Sequence, residues 1–157
     1  MDIRIEKTER AIRNAFLELR AAKPLEKITV KELCSLACIN KSTFYSHYED
    51  IYALSQMLES ETITTVIKNI SSQQESPFKD PDVFTRNLYM ALVSNHSLIN
   101  ILFSGTEKSQ QGDCLETELK RLSLEKYPQY ETDPEKDIML SFCIQGCFHA
   151  YLNNQKN

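Results

Sequence analysis

An octapeptide near the start of the chain, Lys41–Tyr48 (KSTFYSHY), gathers side chains suited to one kind of chemistry. Lys41 can neutralise a phosphate. Ser42, Thr43 and Ser46 offer short hydroxyls, and Tyr45 and His47 present flat rings with polar tips. Carried on one outward helix face, such a set reads the phosphates and base edges of duplex DNA. Phe44 and Tyr48, four residues apart, fall on the opposite side and hold the helix on its partners. A solvated helix joining two core helices has a similar composition, so the flanking sequence must decide between the two readings.

Other reactive groups do not assemble into a site. The cysteines are Cys34, Cys38, Cys114, Cys143 and Cys147, an odd number. Cys34 and Cys38, like Cys143 and Cys147, are four apart and share a helix face. Structural zinc takes four ligands, and no second pair or suitable histidine accompanies either couple. The cysteines therefore read as small buried apolar side chains, and neither a metal nor a cofactor is expected. His96 and His149 read as a cap neighbour and an interface residue, and Glu116 and Glu118 as a solvated face. There is no Ser-His-Asp order, no glycine-rich phosphate loop and no paired catalytic carboxylates, so no enzyme class is indicated.

The elements around the octapeptide favour DNA. Residues 5–21 carry Ile12, Ala15, Phe16 and Leu19 on one helical face, with Arg10, Arg13 and Arg20 off it. Pro24 ends that helix. Val30–Ala37 forms a second, with Thr29 and Glu32 as a capping box and Leu33, Leu36 and Ala37 on its buried side. Cys38 and Ile39 make a tight turn, and Asn40 caps a third helix, Lys41–His47. Two short helices cannot bury a core alone, so the first must lie behind them. The product is a three-helix head whose third helix projects outward, as entry into a major groove about 12 Å wide requires.

A fourth helix, from about Asp50 to Ser71, connects the head (residues 1–50) to the remainder (72–157). The polar stretch Ser71–Pro81 marks the boundary. Further helices are expected over Asp82–Asn95, over Ser97–Ser104 with a stop at Gly105, and over Gly112–Lys126. A last helix follows the Asp133-Pro134 start signal and runs to about Leu152. With only 3 glycines and 5 prolines, the chain reads as all-α.

Charge follows the same division. The whole chain carries −4, yet residues 1–48 carry +3 and residues 49–157 carry −7. A mildly basic head on an acidic body suits a protein whose head alone meets phosphate. The N-terminus lacks an apolar signal core and no apolar run could span a membrane, so a cytoplasmic location and no membrane partner are expected.

Residues 28–54, ITVKELCSLACINKSTFYSHYEDIYAL, resemble the TetR/AcrR family of transcriptional regulators. That family's pattern opens a helix on Thr and places an apolar-Ala pair before the turn. A small residue and Lys follow, then a Thr-apolar-Tyr run and an aromatic before the fourth helix. This chain offers Thr29, Leu36-Ala37, Asn40-Lys41, Thr43-Phe44-Tyr45 and Tyr48. The likeness covers residues 5–54 well and the rest loosely, through helix count and length.

The resemblance implies a helix-turn-helix head followed by a helical ligand-binding and dimerisation body. It also implies a repressor released by a small-molecule effector, and a homodimer on a near-palindromic double-stranded operator. The DNA-contacting residues would be Thr29, Lys31, Asn40, Lys41, Ser42, Thr43, Tyr45, Ser46 and His47. In the body, Tyr89, Phe103, Phe142 and Cys143 either line an effector pocket or fill a core. The final helix is apolar around much of its circumference and needs burial on two fronts. Ile144, Cys147, Phe148 and Tyr151 are its expected dimer contacts.

The chain departs from the family pattern in three places. Cys38 stands where a left-handed glycine is usual, Glu49-Asp50-Ile51 replaces the usual phosphate-gripping lysine, and the chain stops about where the first of two long C-terminal helices would. The last departure implies an abbreviated interface or a shortened form. Glu49 and Ile51 keep a second reading open, a TetR-like protein–protein adaptor with weakened DNA binding.

Overall fold

Apolar residues at helical spacing and few backbone breakers dictate the architecture. In the computed structural model, which describes residues 3–71, 76–103 and 108–154, the described residues form eight α-helices, two 3-10 turns and no strand. The helices are α1 (Ile3–Ala22), α2 (Val30–Ala37), α3 (Lys41–His47), α4 (Ile51–Ser71), α5 (Pro81–Ser94), α6 (His96–Leu102), α7 (Lys108–Lys126) and α8 (Pro134–Asn154). The chain is all-α. Among the described residues no helix is long and apolar enough to cross a membrane. The stop expected at Gly105 lies outside the described residues.

Contacts divide the chain into two units, Met1–Ser60 with Asn100–Gly105, and Glu61–Ile99 with Thr106–Asn157. The division falls inside α4 and not in the polar stretch after it. Phe78 explains the difference. It is buried in the second unit, with its ring 4.5 Å from that of Tyr130 and edge-on to Tyr127 at 5.9 Å. An aromatic anchor of this kind commits residues 76–80 to that unit's core.

The first unit packs α1 against α2, and α2 against α3. Ile12, Phe16, Leu33, Phe44 and Leu54 are fully enclosed in its core. The expected inward face of α2 is narrower than the sequence suggests. Leu33 and Cys34 are buried, Ala37 is half-buried, and Leu36 is 42% exposed. Arg20 also departs from expectation, since it is buried. Its guanidinium donates to the carbonyls of Lys23 (3.4 Å) and Leu102 (3.3 Å), the last residue of α6. A cation there satisfies carbonyls that a helix end leaves without intrahelical partners.

In the second unit α8 packs against both α5 and α7. Leu140, Ile144, Cys147, Phe148 and Tyr151 are buried there. On α7, Gly112 permits close approach to α8, because a Cβ there would stand 2.7 Å from Gln145 Oε1 and 3.3 Å from Phe148. Glu116 is no solvated residue. It accepts from Ser141 Oγ (2.6 Å) and Gln145 Nε2 (2.6 Å) of α8 and pairs with Lys120 (3.1 Å), which also pairs with Asp137 (2.8 Å).

Candidate nucleic-acid interface

The α2–α3 corner is built by three local devices. Thr29 Oγ1 accepts from the Glu32 N–H at 3.3 Å and starts α2. Cys38 ends it in the left-handed conformation (φ 55°, ψ 41°), among the described residues the one non-glycine with positive φ. The reversal lets the Ile39 N–H donate to the Cys34 carbonyl at 3.0 Å, closing the end of α2. Asn40 then caps α3, its Oδ1 accepting from the Thr43 N–H at 2.7 Å and the Thr43 hydroxyl at 2.9 Å.

α3 is fixed from within by its aromatics. Phe44 is fully buried and Tyr48 nearly so, with ring centroids 5.9 Å apart. Tyr45 meets the edge of Phe44 at 5.4 Å, yet remains 56% exposed. An aromatic seated at its base and open at its hydroxyl end is oriented for a partner without a large loss of side-chain freedom on binding.

The nine expected contact residues fall into two groups. Lys31, Lys41, Ser42, Tyr45 and Ser46 are exposed. Thr29 and Asn40 are exposed too, but their side-chain oxygens serve as caps, and half-buried Thr43 gives its hydroxyl to Asn40. His47 is half-buried and turned toward α1, with Nδ1 3.5 Å from Glu9 Oε1. The open face is thus smaller than the sequence implies. It is Lys41, Ser42, Tyr45 and Ser46 on α3, with Lys31 on the first turn of α2.

Ion pairing leaves this face positive. Glu32, the acid nearest Lys31, pairs with Lys23 at the end of α1. Asp50 caps α4, accepting from the Ala53 N–H at 2.7 Å. Glu49 is exposed, and nothing in the structure explains it. Burial pushes the Cys34 thiol above its ordinary pKa, while the Lys41 charge acts in the opposite direction. Tyr52, in the first turn of α4, is 52% exposed. It lies off the buried Ile51–Leu54–Leu58 stripe.

The four residues expected to line an effector pocket are not brought together. Tyr89 and Cys143 line an open groove of about 570 Å³ between α5 and α8. Phe103 packs instead against the core of the first unit. Phe142 is 80% exposed on α8. The expected dimer contacts are corrected as well. Ile144, Cys147, Phe148 and Tyr151 are interior residues of the second unit, between 0% and 6% exposed. The Tyr151 hydroxyl lies 3.1 Å from His96 Nδ1. These positions face α5 and α7, so the apolar surface left on α8 is carried by Ile138 (68% exposed) and Phe142.

All five cysteines are free thiols. Cys34 and Cys147 are buried, Cys143 is half-buried, and Cys38 and Cys114 are exposed. Among the described residues no three His, Cys, Asp or Glu side chains converge to hold a metal. Compared with protein-family models, curated proteins and solved structures, the chain matches none of them.

Proposed function

We propose that the chain is a sequence-specific DNA-binding transcriptional regulator of the TetR type, acting as a homodimeric repressor that a small-molecule effector releases. The supporting observation is the outward face of α3. Lys41, Ser42, Tyr45 and Ser46 stand exposed on a helix capped at its start by Asn40 and pinned behind by Phe44 and Tyr48. Lysine meets phosphate, while hydroxyls and a phenol meet base edges or further phosphates.

A single small head reads one half-site, so specificity calls for two heads on a two-fold axis. The exposed residues Ile138, Phe142, Gly146 and Ala150 recur every fourth position along α8. That spacing forms one helix stripe, large at one end and small at the other, suited to another helix. We assign the two-fold contact to this stripe.

An electrophoretic shift with the DNA flanking the chain's own gene tests the reading. A discrete complex that survives excess unrelated duplex supports it, and no shift at micromolar protein in low salt refutes it. The second reading is an adaptor that binds another protein, and exposed Glu49 beside the α3 face favours it. In that case the flanking DNA gives no specific complex.

A further inference from the structure

Three sulfur-bearing side chains line the α5–α8 groove of the second unit. Met90 comes from α5, and Cys143 and Cys147 come from α8. The thiols are one turn apart on the same side of their helix. The Cys147 Sγ donates to the Thr85 carbonyl of α5 at 3.5 Å, which places it at the seam of the two helices. Met90, against the usual habit of a thioether, is 59% exposed.

Small residues keep this side of α8 uncrowded. Gly146 and Ala150 line the same groove, and a Cβ at Gly146 would meet nothing within 4 Å. No imidazole is among the lining residues. Asp82, the one carboxylate among them, does not join the two thiols, since among the described residues no three His, Cys, Asp or Glu side chains converge to hold a metal. Zinc takes four nitrogen, sulfur or carboxylate donors, and hard cations take oxygen cages, so neither finds its set here. Thiolate and thioether donors suit a soft d10 monovalent ion.

We propose that Met90, Cys143 and Cys147 form a binding site for one soft monovalent cation, Cu(I) or its analogue Ag(I). The two thiols bind as thiolates and release their two protons to solvent, and the thioether completes a three-coordinate sulfur set without a charge. The resulting complex carries one net negative charge, which Arg86 on the groove wall offsets. Because both thiols must lose a proton to bind, affinity strengthens as pH rises. Gly146 and Ala150 also belong to the stripe given above to the two-fold contact, but the three sulfur ligands do not, and binding is measured without DNA.

The test is an anaerobic titration of the reduced full chain with Cu(I), in competition with the chromophoric chelator bicinchoninate. One tight equivalent is expected, with a thiolate-to-copper absorption band and affinity rising with pH. Cys143→Ser should weaken binding by more than the 10–100-fold typical of an outer-shell partner. Met90→Leu, at an exposed position, should weaken it by about tenfold while leaving thermal unfolding unchanged. Cys38→Ser removes one member of the other thiol pair and should retain the tight equivalent. Wild-type affinity in Cys143→Ser and Met90→Leu, or loss of the equivalent in Cys38→Ser, would overturn the assignment, as would no tight binding at all.

Discussion

Asn40 Oδ1 accepts two hydrogen bonds from one residue, the Thr43 backbone N–H at 2.7 Å and the Thr43 hydroxyl at 2.9 Å. The pair starts the seven-residue helix α3. A helix this short has little stability of its own and depends on its cap and its buried side. Asn40→Ala should therefore cost about 1 kcal/mol in urea unfolding. Asn40→Asp should keep the fold but set a negative charge beside Lys41, weakening DNA binding more than it weakens the head. Equal stability of Asn40→Ala and wild type would show that the cap contributes nothing to α3.

Cys38 holds a left-handed backbone that glycine adopts without a Cβ penalty. Its side chain is exposed, so truncation sacrifices little packing. Cys38→Gly should be neutral or stabilising by up to about 1 kcal/mol, the relief being partly offset by the freer unfolded chain. A loss of more than about 1 kcal/mol in thermal or urea unfolding would mean that the turn depends on the thiol.

The α7–α8 packing should depend on pH. Burial raises the Glu116 carboxyl, but hydrogen bonds from Ser141, Gln145 and Lys120 and the Lys120 charge outweigh it and hold the group below its ordinary 4.5. Burial lowers Lys120, yet Asp137 and Glu116 outweigh it and hold the ammonium above its ordinary 10.5. The Glu116 contribution is present above 4.5 and disappears as pH falls through its lowered folded value; the Lys120 contribution is present below 10.5 and disappears as pH rises through its raised one. Thermal unfolding should thus weaken on both sides of a broad plateau. Glu116→Gln should flatten the acid limb, and an acid limb as steep as wild type would assign it to other carboxylates.

Charge placed on α8 separates its two sides. Phe142→Glu lies on the exposed stripe and should leave each chain folded while converting a dimer to a monomer in light scattering. Phe148→Glu lies in the interior and should cost about 3 kcal/mol or more, unfolding the second unit. A monomeric wild type at micromolar concentration, or a dimer that tolerates Phe142→Glu together with Ile138→Glu, would rule out the stripe.

Local chemistry made the corner legible in the sequence. Thr29, Cys38 and Asn40 act within a few residues of themselves, so the bounds of α2 and α3 and the left-handed turn could be read directly. What depended on long-range packing could not. Arg20 looked like a solvated arginine until the end of α6 came within its reach. His47 turned to Glu9, 38 residues away in sequence, which no helix periodicity within α3 contains. On α8, apolar residues nearly all round gave no phase, so the sequence placed the outer side where α5 and α7 lie, and Phe103 was grouped with the body although it packs against the core of the first unit.

Whether the α3 face reads DNA is decided by titrating the flanking duplex and an unrelated duplex with wild type, Lys41→Ala and Tyr45→Ala over a series of salt concentrations. Wild type should prefer the flanking duplex. Lys41→Ala should weaken both duplexes alike and lower the salt slope by about one, as removal of a single phosphate partner requires. Tyr45→Ala should weaken the flanking duplex with thermal unfolding nearly unchanged. If wild type binds both duplexes equally, or if neither substitution alters binding while the head stays folded, the DNA-reading role of α3 is contradicted.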